Sequence, residues 1–205
     1  MRKLFLFIFF STNLLSAQKI VKKTIVNNAI ETIEIDAKNC FRVNLKTSNT
    51  DELIVRATID GEYSKDLFLN VKEEDANIFV STGFTPNFKN PNDKLSAHKV
   101  VSIALDVIIP ENHKLRVYGT SCNVLATGNY KYLNVTLNDG ICVLNEVAYN
   151  TMVTTQSGDI FLTAIKGEIK ANSKYGIVEK NVIPIGENYF VLKTITGDIQ
   201  FTKSE

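Results

Sequence analysis

Three carboxylates stand at matching places in the second half of the chain, Asp139, Asp159 and Asp198, each beside a glycine and an isoleucine or one step from them. Glycoside hydrolysis needs two carboxyl groups roughly 5 to 9.5 Å apart, and stacked repeats would align these three along one edge. Aspartate is also a preferred turn residue, because its side chain bonds the turn backbone. No basic or metal-binding set converges beside them, as a lyase would require. Calcium asks for six to eight oxygens, and the dense glycine-aspartate repeat of calcium-binding β-rolls is missing. The only histidines, His98 and His113, flank the apolar run 101–109 and have no serine or cysteine fixed near them; they read as solvated residues near strand ends. Cys40, Cys122 and Cys142 form no CxxC and no Cys/His cluster, so a zinc site is not expected. They are either buried thiols acting as small apolar groups or the source of one disulfide. The expected pair is then Cys122 with Cys142, whose separation is close to one repeat, although their offset within the repeat works against the bridge. No catalytic residue, cofactor or metal ligand is assigned.

The elements that must position these groups are strands. Leu53, Val55, Ala57 and Ile59 alternate with polar neighbours, and the same period of two runs through 67–71, 78–80 and 101–109. Period two places one face of each strand toward a core. After Pro110 the text becomes repetitive. Five units begin at Leu115, Leu133, Met152, Ile169 and Val191, each a short strand, a polar or glycine-bearing turn, and a second short strand. The second strands open at Val124, Ile141, Ile160, Ile177 and Ile199, nearly evenly spaced until Pro184-Ile185-Gly186-Glu187-Asn188 stretches the last interval. A unit this short cannot bury its own apolar residues, whereas stacked units share a continuous core. The expected fold is therefore all-β: a short right-handed β-solenoid of about five coils, preceded by less regular strands on the same core. A meander or sandwich with hairpin turns at the same glycines is the rival. Gly140, Gly158, Gly176 and Gly197, with Asp159 and Asp198, form the turns, the glycines being expected to supply positive φ.

The first residues, Met1-Arg2-Lys3 before a short apolar run and a small-residue Ser16-Ala17, have the build of a secretory signal peptide. Cleavage is expected after Ala17, and the apolar run is too short to span ~30 Å of hydrocarbon as a helix. The expected organisation is a signal peptide over 1–17, an irregular β region over 18–110, and the repeat over 111–205, continuous with what precedes it. A proline- and asparagine-rich loop is expected at 84–94. Of 23 Lys and Arg, only Arg2 and Lys3 fall within 1–17, so 21 remain against 22 Asp and Glu. A charge of −1 gives no electrostatic pull toward nucleic acid or an anionic membrane.

The run Asp106-Val107-Ile108-Ile109-Pro110-Glu111-Asn112-His113-Lys114-Leu115-Arg116-Val117, followed by Ser157-Gly158-Asp159-Ile160 and Thr196-Gly197-Asp198-Ile199, resembles the bacterial exported β-strand-repeat proteins known as an adhesin-like family of unknown function. The resemblance covers residues 100 to 203. It implies a right-handed β-helix-like fold, a place in the cell envelope and no catalytic residues. Thr120-Ser121-Cys122-Asn123 lacks the glycine and Ser173-Lys174-Tyr175-Gly176 lacks the aspartate. Expected partners are a glycan, an envelope protein or a second copy, in the periplasm or at the cell surface. Tyr118, Tyr130, Tyr132, Tyr149 and Tyr175 either contribute to a binding surface or pack at coil corners. The alternatives are a carbohydrate-active β-helix enzyme and a periplasmic partner in envelope signalling.

Overall fold

The computed structural model describes residues 18–61, 64–87 and 101–204, all of them strand, turn or link apart from one 3₁₀ turn at Ser64–Asp66. The proposed signal peptide, His98 and most of the 84–94 loop lie outside the described residues; within that loop, Phe84 ends a strand. The first strands are β1 (Gln18–Ile25), β2 (Thr32–Asp36), β3 (Arg42–Ser48), β4 (Glu52–Gly61), β5 (Leu67–Glu74), β6 (Asn77–Phe84) and β7 (Val101–Pro110). The second half supplies β8 (Lys114–Ser121), β9 (Asn123–Asp139), β10 (Cys142–Thr155), β11 (Ile160–Ala164), β12 (Glu168–Ser173), β13 (Val178–Lys180), β14 (Tyr189–Thr194) and β15 (Ile199–Lys203). All fifteen join in one sheet that curls into a nearly closed, barrel-like wall.

Within that wall the strands form two parallel columns. One runs β6, β2, β8, β9, β10, β14, β12. The other runs β7, β3, β9, β10, β11, β15, β13. The long strands β9 and β10 contribute their first halves to the second column and their second halves to the first. Antiparallel strands cover one end only, β5 beside β6 and β4 with β1 beside β7.

The register is stricter than the sequence spacing implies. Leu115, Leu133, Thr151 and Ile169 follow one another at equal intervals and share one level with Phe190 and Ile33. Val124, Cys142, Ile160 and Val178 recur at the same interval, level with Ile199 and Val43. The expected openings at Ile141 and Ile177 are thus one residue early. Cys142 is fully buried while Ile141 is 42% exposed, because a shift of one residue turns a strand side chain to the opposite face. The segment 32–48 lies within the irregular N-terminal half of the sequence, yet its strands pair in parallel with β8 and β9 in the same register.

The stacking order also departs from chain order. The last unit, β14 with β15, lies between the β10–β11 layer and the β12–β13 layer. Burial explains the exchange. Phe190, Leu192 and Ile199 are fully enclosed, whereas Ile169, Ala171 and Val178 on the outer layer are only partly covered. Burying a large apolar side chain is worth about 1.5–3 kcal/mol, so the phenylalanine-bearing unit gains most from the inner position. One core cluster runs from Val26 to Phe201.

Candidate functional site

The aspartates act on the backbone. Asp198 Oδ1 accepts the amide of Ile177 at 2.7 Å, and Asp159 Oδ1 accepts that of Asp198 at 2.8 Å. Asn123, in the corner without a glycine, accepts the amide of Ile141 at 2.9 Å in the same way. Asp139 accepts the Ser157 hydroxyl at 3.2 Å. In the corner without an aspartate, Ser173 Oγ accepts the Gly176 amide and donates to the Gly197 carbonyl. These polar corner residues tie each layer to its neighbour.

Beside this ladder runs a glycine spine. A methyl on Gly140 would meet the Cys122 carbonyl oxygen at 2.3 Å, and one on Gly158 would meet the Gly140 oxygen at 2.0 Å. Gly197 stands likewise against the Gly158 oxygen at 2.2 Å, and Gly176 against the Gly197 oxygen at 2.1 Å. Only Gly140 of the four has positive φ, at 102°. The expectation of left-handed turns at Gly158, Gly176 and Gly197 is thus corrected. Those three are small because a neighbouring backbone passes where a side chain would stand.

Cys40, Cys122 and Cys142 are free thiols in the core. Cys142 is level with Val124 rather than with Cys122, so the pair expected from the sequence is out of step across the neighbouring strands. Burial pushes the Cys40 thiol up to about 11 and those of Cys122 and Cys142 to about 12, so all three are protonated near neutral pH. Among the described residues no group of three histidines, cysteines or carboxylates is placed to hold a metal. His113 Nδ1 lies 3.0 Å from the Glu111 carbonyl, a local contact.

The surface with chemical character is the outward side of the first column. Lys114, Tyr132, Asn150, Tyr189 and Glu168 form one row across five strands. Arg116, Asn134, Met152, Val191 and Lys170 form the next. Tyr132 and Tyr189 are two strand steps apart, about 10 Å at the usual strand spacing. The Tyr132 hydroxyl reaches Met152 Sδ at 3.7 Å, and Lys170 Nζ sits 5.1 Å from the Tyr189 ring centre. The bond to Tyr189 raises the Lys170 pKa above its ordinary value. A shallow cavity of about 690 Å³ spans this face and the open end of the core, lined by Met152, Tyr189, Val191, Lys170 and Lys193 together with Ile169, Ala171 and Phe201.

Of the tyrosines singled out by sequence, Tyr132 belongs to this face and Tyr118 stands level with Thr136 at its edge. Tyr130 is fully buried, its hydroxyl donating to the Thr127 carbonyl. Tyr149 and Tyr175 are exposed, the latter at a corner. Sequence reasoning misses Tyr189, because its unit reads as beginning at Val191. Equal spacing does not place it either, because Phe190 follows Ile169 by more residues than separate Leu115, Leu133, Thr151 and Ile169 from one another.

No protein-family model matches the chain, and no curated protein matches it. Among solved structures, a "putative cell adhesion protein" from Clostridium sporogenes superposes with a TM-score of 0.68 at 15% identity, over 92% of this chain and 100% of that one. A "putative adhesin" from Bacteroides fragilis aligns over 92% of this chain and 99% of that one, at 14% identity and a TM-score of 0.34. The Clostridium structure shares the fold. Among the described residues no helix is long and apolar enough to cross a membrane.

Proposed function

We propose that this chain is an exported, non-catalytic, adhesin-like binding module of the cell envelope, wound as a short right-handed β-solenoid. Its recognition surface is the outward face of the first column, and its ligand is an extended glycan. The observation that carries this reading is the row Tyr132, Asn150, Tyr189. Two aromatic rings about two strand steps apart, with an amide between them and Lys170 and Lys193 beside them, suit a linear sugar chain laid across the strands. Tyrosine offers apolar area together with a hydroxyl, and the amides and ammonium groups answer sugar hydroxyls. The cell-adhesion name of the Clostridium structure and the signal-like segment 1–17 agree with export and binding.

Catalysis by the edge aspartates is disfavoured because Asp159 and Asp198 are already occupied by neighbouring amides. A role in envelope signalling would use the same face for a protein partner.

The test is calorimetric titration with chito-, cello- and xylo-oligosaccharides and with mucin glycans. Binding weakened about tenfold or more by Tyr132→Ala and Tyr189→Ala, each worth at least ~1.4 kcal/mol, supports the reading. Binding unaffected by both substitutions, or no binding across the panel, contradicts it.

A further inference from the structure

The two ends of the columns are finished differently. At one end the outermost strands are β1 and β5, each antiparallel to its neighbour. The β1 sequence is rich in lysine, a single sign that sets like charges together in any self-pairing and so guards an edge. At the other end β12 pairs only with β14, and β13 only with β15. No further strand covers them among the described residues. The linker between β13 and β14 leaves Val182 and Ile185 91% and 92% exposed, and Tyr175 is 71% exposed at the corner between β12 and β13. Core residues Ile169 and Ala171 are only partly covered there.

The geometry points to a second copy of this chain as the occupant of that open end, docked edge to edge through β12 about a two-fold axis. An isologous contact must be self-complementary, and β12 meets that demand. In an antiparallel pairing centred on Ile169, Glu168 stands opposite Lys170 of the partner subunit, and Lys170 opposite Glu168 of the partner subunit. Ile169 then faces its own symmetry mate, continuing the core across the junction. Within one chain Glu168 and Lys170 make only a loose pair, 3.4 Å apart and well exposed. Such surface pairs are worth little, so Glu168 can exchange this one for a cross-strand pair while Lys170 stays beside the Tyr189 ring. Opposite charges directly across an antiparallel pair are favourable and like charges unfavourable. The pairing brings the outward backbone of Ile169 against that of its symmetry mate, while the Gly167 amide keeps its bond to the Pro184 carbonyl; exposed strands commonly join by their edges. The result is a dimer with two copies of the Tyr132–Tyr189 face on one extended wall. The self-pairing uses Glu168 and Lys170 at the rim of that face, and it does not depend on what the face binds.

Sedimentation equilibrium of the mature chain, 18–205, across its soluble concentration range tests the proposal. The expected result is a reversible monomer–dimer equilibrium. Glu168→Lys places lysine opposite lysine twice and should raise the dissociation constant about tenfold or more. Glu168→Lys combined with Lys170→Glu restores opposite charges and should bring it back near the starting value. Circular dichroism on each variant confirms the fold, which these exposed residues should leave unchanged. A chain that stays monomeric throughout overturns the proposal, as does growth past dimer into open polymers. So does a dimer indifferent to the charge reversal, which would place the contact elsewhere. Glycan titration of the unsubstituted chain, below and above its dimer dissociation constant, separates the two ideas: equal binding per chain in both regimes leaves the glycan reading standing whatever the charge reversal does.

Discussion

Replacing Gly158 by alanine tests the layer order most severely. The added methyl would lie 2.0 Å from the Gly140 carbonyl oxygen, 3.1 Å from its carbon and 3.3 Å from its nitrogen. All three are backbone atoms held by the parallel registers on either side, so no side chain can swing away. The Gly158 carbonyl is also engaged, accepting the Thr155 hydroxyl and standing 2.2 Å from where a methyl on Gly197 would be. Forcing extra carbon into packed interior costs typically about 1–3 kcal/mol, and a clash with fixed backbone on this scale belongs at or above the upper figure. For a domain of this size each kcal/mol lowers Tm by about 2–4 °C, so a loss of ~3 kcal/mol should lower it by about 6–12 °C. Gly83→Ala is the matched control. Its methyl would make an ordinary 3.7 Å contact with the Phe68 ring, and a Gly→Ala change without strain is neutral or stabilising by up to ~1 kcal/mol. Thermal and urea unfolding of both variants is the assay. If Gly158→Ala unfolds within about 2 °C of the parent, corresponding to under ~1 kcal/mol, the close stacking at the spine is refuted.

Three further outcomes are expected. Among the described residues Thr151 Oγ1 is buried without a partner, so Thr151→Val, nearly isosteric, should raise stability by about 1 kcal/mol in urea unfolding; a loss of that size would show that the hydroxyl is satisfied. Asp198→Ala removes the acceptor of the Ile177 amide and should cost about 1 kcal/mol, while Asp198→Asn, which keeps a carbonyl oxygen there, should cost less than half of that; an equal loss in both would mean that the charge matters rather than the hydrogen bond. The three thiols have folded pKa values raised from 9.0 to about 11, 12 and 12. The unfolded chain therefore releases their protons first, and stability should hold up to about pH 9, then fall by up to about 1.4 kcal/mol per pH unit for each thiol until the folded values are reached. Cys142→Ala should make that fall shallower, and a stability that does not change between about pH 9 and pH 11 would contradict the burial-driven shift.

Alternation makes much of the fold legible in the sequence. Leu53, Val55, Ala57 and Ile59 face the core as their pattern requires, and the corner aspartates sit at turns. What the pattern cannot convey is parity across a turn. Ile141 and Ile177 are more apolar than Cys142 and look like strand openings, yet the parallel strand register gives the inward position to cysteine and to Val178. The pairing of 32–48 is obscured because its partners β8 and β9 lie far along the chain, and no local spacing carries that separation. Chain order likewise says nothing about stacking order, so the inner position of β14 and β15 emerges only from which unit carries Phe190 and Phe201. The candidate face is legible in part, through Tyr132, while Tyr189 is lost to the misplaced start of its unit.

Where a glycan touches the molecule decides the functional reading. ¹⁵N-labelled protein titrated with the tightest-binding oligosaccharide of the panel, followed by amide chemical shifts, reads this residue by residue. Perturbations are expected to concentrate on the rows Tyr132, Asn150, Tyr189 and Asn134, Met152, Val191, with the opposite column unchanged. Shifts gathered instead around Leu125, Val143 and Phe161 on the opposite column, or along the aspartate corner, would contradict a glycan-binding role for this face.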